Sequence, residues 1–186
     1  MVGPLRIGIL GIGDVLKSDD GFGPHVLRVL ESHCDFPPQV VLRDLAEPGP
    51  ELVSFLARCD AAILVHAVNA PRKPGDILVC RKHDVFGAPG SLRILPHDPA
   101  LLDALLAAEL KGQCPRGLLL VGVVPESTRA GYGLTESVKS AVAGVVSTIQ
   151  AELFRRGVHV GARAEAEAPS NQQEEPVSSE CFLQET

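Results

Sequence analysis

The run AAILVHAV, residues 61–68, is apolar at every position except His66. A strand with one wet face alternates in polarity, so an unbroken apolar run of this length belongs inside a sheet that is covered on both sides. GLLLVGVV, residues 117–124, is a second such run, and shorter strands are expected over 6–10 and within QVVLRDL, residues 39–45. Between them lie helical segments: Gly23-Pro24 opens one that runs to about Ser32, Glu51 to Ala57 forms a short one, and Asp98-Pro99 opens a third with Leu101, Leu102, Leu105 and Leu106 on one face. Thr135 to Arg156 carries Val138, Val142, Val145, Ile149 and Leu153 at helical spacing, with Gly157 as terminator. Only NAPRKPGD separates the third strand from DILVC, too little chain for a helical crossover, so this fourth strand should run antiparallel to the third. The stretch from Arg81 to Leu95 is expected to be a loop. The pattern predicts an α/β fold, a three-layer α/β/α sandwich around a five-stranded mostly parallel sheet with one antiparallel strand. Ligands of such sheets bind outside the carboxyl ends of the strands.

The chain has 186 residues and a formal charge of −6. From Gly161 onward Glu165, Glu167, Glu174, Glu175, Glu180 and Glu185 stand against Arg163 alone, so the preceding body is close to neutral. A neutral body offers no stripe for tracking phosphates, which argues against nucleic acid as a partner. The tail lacks periodicity and is rich in Glu, Gln, Ser and Pro. Residues 1–160 are therefore expected to form a single α/β domain and 161–186 a disordered acidic tail. Five scattered cysteines form no Cys-x-x-Cys pair, so neither a disulfide framework nor a zinc ribbon is indicated and a cytoplasmic location is expected. No segment reads as a signal core or a membrane span.

The glycine loop LGIGDVLKSDDGFG, residues 10–23, follows the first strand as a nucleotide-binding loop would. A dinucleotide fingerprint needs its third glycine at position 16, which is Leu16, and a Walker loop needs glycine directly before Lys17. Asp19 and Asp20 would also repel a polyphosphate, so the loop is suited to a cation. The alternative is that Ser18, Asp19 and Asp20 cap the next helix. His66 ends an apolar strand at the carboxyl edge, and His97 lies just before the helix opened by Asp98-Pro99. Each alone is compatible with a histidine bonded to backbone or a surface loop histidine. Together with Asp20, they could form an open site of two imidazoles and one carboxylate for Zn, Ni or Fe(II).

Through these residues the chain resembles the hydrogenase maturation endopeptidases that trim the large subunit of nickel–iron hydrogenases. The resemblance runs from about Leu5 to Val158 and includes GIGDVLKSDDGFG, ILVHAV, Pro74-Gly75, LPH ending at His97, VGVVPES and GLT. It implies a metal-binding site built from an acidic residue in the first loop, an aspartate ending the third strand and a histidine before a later helix. These positions are Asp20, His66 and His97, and the middle one departs from the family's aspartate. Asp14 stands where the family has asparagine, and DLAEPG replaces its Gly-Thr turn.

What the resemblance implies is removal of a C-terminal peptide from the nickel-loaded precursor of a hydrogenase large subunit. The nickel is the substrate's own, and a monomer suffices for one cut at a unique site. The family is classed with aspartic-type endopeptidases, but a dyad needs two carboxylates that share a proton, which Asp20 and His66 cannot form. Asp20 is then the catalytic residue expected to act as general base, and His66 either a metal ligand or a proton carrier. Asp44 and Glu126, expected in the loops after the second and fifth strands, could orient a ligand or serve only as turn and cap residues. Arg72, Lys73, Arg81 and Lys82 could meet an acidic part of the precursor. A non-proteolytic nickel-dependent binding or chaperone module, with cleavage lost through His66, is the alternative. A non-haem iron oxygenase site is a third reading, disfavoured because such sites usually belong to other folds.

Overall fold

A computed structural model describes residues 5–87, 95–96 and 99–163 of the chain. The order is β1 (Ile7–Ile12), a 3₁₀ turn (Ser18–Gly21), α1 (Phe22–His33), β2 (Cys34–Asp35), β3 (Val40–Leu45), α2 (Pro50–Leu56), β4 (Ala61–Asn69) and β5 (Ile77–Arg81). It continues with α3 (Lys82–Val85), β6 (Leu95–Pro96), α4 (Pro99–Leu110), β7 (Gly117–Val123), α5 (Glu136–Arg155) and β8 (Gly161–Ala162). The main sheet runs β3-β1-β4-β7-β5, with the short β6 added on β4. All neighbours along that path are parallel except β5 and β7.

Side-chain alternation along the strands makes the two layers. Ile7, Ile9, Ala61, Ile63, Val65, Leu119, Val121 and Val123 join the core beneath α1 and α5. Leu10, Ile12, Ala62, Leu64, Val68, Leu118 and Leu120 point the other way, into the core beneath α2 and α4. The expected three-layer sandwich is therefore present. α4 buries Leu101, Ala104, Leu105 and Ala108, whereas Leu106 is exposed, because small alanines let this helix lie close to α2.

β5 runs antiparallel to β4 as the short connection requires, yet the two are not neighbours. β7, arriving later in the chain, lies between them and pairs Ile77 with Val123 and Arg81 with Leu119. The region after Arg81 is not all loop, since Lys82–Val85 form a helical turn. Gly161–Ala162, which the composition assigned to the tail, pair antiparallel with Cys34–Asp35, and residues 164–186 lie outside the described part. No helix among the described residues is long and apolar enough to cross a membrane.

The strand order creates one crevice. β1 is followed by α1 and leads outward to β3, whereas β3 is followed by α2 and leads back across β1 to β4. The two helices leave the carboxyl edge on opposite faces of the sheet, so the gap between the ends of β1 and β4 is the switch point.

Candidate active site at the switch point

Asp20 and His66 are both tied to the end of β1. His66, on β4, is 1% exposed, and its Nδ1 lies 2.9 Å from the carbonyl oxygen of Ile12. A carbonyl only accepts, so Nδ1 carries the proton, and in the neutral ring Nε2 holds the lone pair, as a metal-ligating histidine requires. Two residues past Ile12, the Asp14 amide donates to Asp20 Oδ2 at 2.8 Å. Asp20 is 7% exposed, and its other oxygen, Oδ1, has no hydrogen-bond partner among the described residues. Structural carboxylates are rarely buried with an oxygen left unused, so this one is suited to a cation or a proton in transit.

Gly13 stands between the two anchoring points. Its φ is +137° and a Cβ there would fall 1.9 Å from the Asp20 carbonyl oxygen, so only glycine lets the loop turn over this carboxylate. Gly23 has a different purpose: a Cβ would meet Ile12 N and Val65 O at 2.4 Å, so its absence lets the first turn of α1 rest on the ends of β1 and β4. These glycines shape a cradle for a carboxylate and not for a phosphate.

The alternative in which the loop caps the helix does not hold. Neither the 3₁₀ turn nor α1 has a side-chain cap, and their N-cap residues are Lys17 and Gly21. Asp19 instead reaches across to the segment that follows β7. Its Oδ2 accepts the amides of Glu126 and Ser127 at 2.9 Å each, and its Oδ1 accepts the Thr135 amide at 2.7 Å. The Thr135 hydroxyl lies 3.0 and 2.9 Å from the two oxygens. Asp19 is fully buried and all its acceptor capacity is used, so the adjacent carboxylates divide the labour: one clamps two loops, the other keeps a buried oxygen with no hydrogen-bond partner among the described residues. Sequence reasoning missed this clamp, although the polar residues in PES and GLT that it grips belong to the recognised motifs.

Asp44 is placed differently from the expectation. It lies within β3, opposite Gly11 of β1, and not in the following loop, because the ladder continues to the pair Ile12 and Leu45. Desolvation raises its carboxyl from the ordinary value, and the Arg28 guanidinium opposes that rise. Glu126 is in the expected loop and is exposed; its amide serves Asp19 and its carboxylate accepts the Ser137 hydroxyl, so its bonds are those of a loop brace. His97 lies outside the described residues. The chain on either side of it is placed: Leu95 and Pro96 pair with Asn69 and Val68, just beyond His66, and Pro99 starts α4. No group of three or more metal-ligating side chains occurs among the described residues. Of the cations considered for the precursor, Arg81 pairs with Glu152 at 3.8 Å and Lys82 with Glu109 at 2.7 Å, which leaves Arg72 and Lys73 exposed at the β4–β5 turn.

Comparison with known proteins shows the family. The family model for hydrogenase maturation proteases matches residues 24–152, more than half of the chain. The hydrogenase 2 maturation protease of Escherichia coli K12 is 32% identical over 83% of this chain and 94% of its own length. The hydrogenase expression/formation protein HupM of Azotobacter chroococcum is 36% identical, covering 82% of this chain and 74% of that protein. Among solved structures, the hydrogenase maturating endopeptidase HybD of E. coli matches with a TM-score of 0.74 at 29% identity, over 86% of this chain and 98% of that one. The sheet order, the crevice and these relatives lead to one conclusion: the chain is an endopeptidase that belongs to the hydrogenase maturation protease family.

Proposed function

We propose that this enzyme removes a C-terminal peptide from the nickel-loaded precursor of a nickel–iron hydrogenase large subunit, thereby activating the hydrogenase. Asp20 and His66 act at the switch point, and His97 joins them as the resemblance implies. Nickel belongs to the substrate, and its capture fixes the scissile segment against the site and polarises the bond to be cut. Asp20 serves as general base through Oδ1, and His66 presents Nε2 to the metal because Ile12 holds the Nδ1 proton. The enzyme works as a monomer in the cytoplasm, in keeping with four free thiols at Cys34, Cys59, Cys80 and Cys114.

The observation that carries this reading is the shared anchoring of Asp20 and His66 on main-chain atoms of residues 12 and 14, with one carboxylate oxygen unbonded to any described residue. The test is the intact mass of a nickel-loaded large-subunit precursor before and after incubation, with a nickel-free precursor alongside. Loss of a short C-terminal peptide from the nickel-loaded sample alone is expected. Because His66 replaces the family's aspartate, the same assay includes a second reading: binding without mass loss would identify a non-proteolytic nickel-dependent module. Normal nickel-dependent processing by a His66→Ala variant would remove His66 from the ligand set.

A further inference from the structure

Beside Asp20 two loops are joined edge to edge, and each carries an exposed apolar side chain. Residues 14–17 form a small loop whose ends both bond to Asp20: the Asp14 amide donates to its carboxylate at 2.8 Å, and its own amide donates to the Lys17 carbonyl at 3.1 Å. Val15 and Leu16 occupy the apex, 39% and 51% exposed. The Leu16 amide is held by Asp14 Oδ1 at 2.9 Å, so the apex is a braced turn and not a loose one.

The segment after β7 comes alongside. The Ser18 amide donates to the Gly131 carbonyl and the Gly131 amide to the Leu16 carbonyl, at 2.9 Å each, and the Ser18 hydroxyl donates to the Arg129 carbonyl at 3.1 Å. Ser18 has φ +48°, the only left-handed backbone among the described non-glycine residues, and these bonds hold it there. Tyr132 follows Gly131 and is 87% exposed. A leucine and a tyrosine thus stand in water on loops bonded to one another, the first of them bonded also to Asp20.

We infer that Leu16 and Tyr132 form the two jaws of a substrate clamp, which receives an apolar side chain of the precursor segment next to the scissile bond. The occupant follows from continuity: the apex is bonded at both ends to Asp20 and through Gly131 to the backbone beside Tyr132, so a polypeptide cut at that carboxylate lies against both side chains. This rests on the reading of Asp20 as part of the cleavage site. Leu16 and Tyr132 are positioning residues that set which precursor segment is accepted, and the chemistry of the cut stays with the crevice.

The test compares steady-state processing of the nickel-loaded precursor by the wild type, Leu16→Ser, Tyr132→Ser, the double variant and Leu110→Ser. Leu110 is 89% exposed at the end of α4, toward the opposite edge of the sheet, and serves as the control for general loss of surface apolarity. Each clamp variant should raise KM about tenfold with kcat within about twofold, and the control should match the wild type. All these side chains are exposed, so melting temperatures should be unchanged. A double variant with wild-type KM would overturn the clamp, and so would an equal rise in KM for Leu110→Ser. If the wild type binds the precursor without cutting it, the cleavage reading fails and the dissociation constant of the double variant decides the clamp: about tenfold weakening supports it, none overturns it. If the wild type neither cuts nor binds the precursor, both fall.

Discussion

Replacing Asp19 and Asp20 by asparagine, one at a time, should produce opposite results from nearly identical changes. The Asp19→Asn side chain keeps one oxygen. If that oxygen stays on the Glu126 and Ser127 amides, the new NH₂ group faces the Thr135 amide, donor against donor. An orphaned buried amide costs about 1–3 kcal/mol, and the two surviving bonds each lose about 1 kcal/mol when they are no longer charge-assisted. The total at the lower end is about 3 kcal/mol, or a fall in Tm of about 6–12 °C for a domain of this size. The Asp20→Asn side chain, by contrast, keeps the bond from the Asp14 amide through its carbonyl and replaces an oxygen that has no hydrogen-bond partner among the described residues. Removing that buried charge should leave Tm within about 2 °C of the wild type or raise it, while processing of the precursor is abolished. Thermal melts followed by circular dichroism, with cleavage assayed well below both transitions, provide the comparison. The division of labour would be refuted by Asp19→Asn melting within about 2 °C of the wild type, or by Asp20→Asn melting below Asp19→Asn.

Three further outcomes follow from the same geometry. Gly23→Ala drives a Cβ onto the main chain of Ile12 and Val65, so it should reduce the unfolding free energy read from urea titrations by about 1–3 kcal/mol and slow processing as α1 lifts off the strand ends. Burial alone would raise the carboxyl of Glu152, but hydrogen bonds and charge from Arg156 and Arg155 hold it below the ordinary glutamate value. That contribution is present above the unfolded-state value and is lost as pH falls through the lower folded one; Glu152→Gln should therefore be less stable at about pH 7 and show a shallower acid dependence in urea titrations from there down to about pH 3. Burial pushes the Cys114 thiol up to about 11, with Lys82 opposing and Glu109 adding to the rise. At about pH 8 its thiolate fraction is on the order of 10⁻³, so alkylation of Cys114 in the native protein should be far slower than in urea, and equal rates read by peptide mass would contradict the burial.

The strands were the most legible part of the chain, because a strand buried on both faces has no polar positions to confuse its reading. AAILVHAV and GLLLVGVV became β4 and β7 in the middle of the sheet. The direction of β5 was legible from the short connection NAPRKPGD, but its neighbour was not, since that depends on Gly117–Val123, a strand contributed much later in the chain. α4 is leucine-rich on several faces, and its orientation was decided by Ala104 and Ala108 packing inward, which a leucine count does not reveal. In the site, His66 was marked as the one polar residue of an apolar run, although it does not end the strand, since β4 continues through Ala67 and Val68 to Asn69. The roles of Asp19 and Asp20 could not be told apart, because they are identical neighbours whose difference lies in partners 107 to 116 residues away for one and 6 residues away for the other. Asp44 was misplaced by one strand end because the β1–β3 ladder extends to Leu45.

The clamp made by Asp19 also has a consequence in time. It joins residues 116 positions apart, and its partners on the far side stand at 126, 127 and 135. A nascent chain that has emerged only as far as α4 already contains Asp20 and His66 but has nothing to brace the loop above them. Contacts this distant form late, since they wait on the closure of everything between. The braced loop beside Asp20 therefore assembles only with the last third of the polypeptide, and a ribosome-bound fragment that ends at α4 holds this carboxylate on a loop still lacking its clamp.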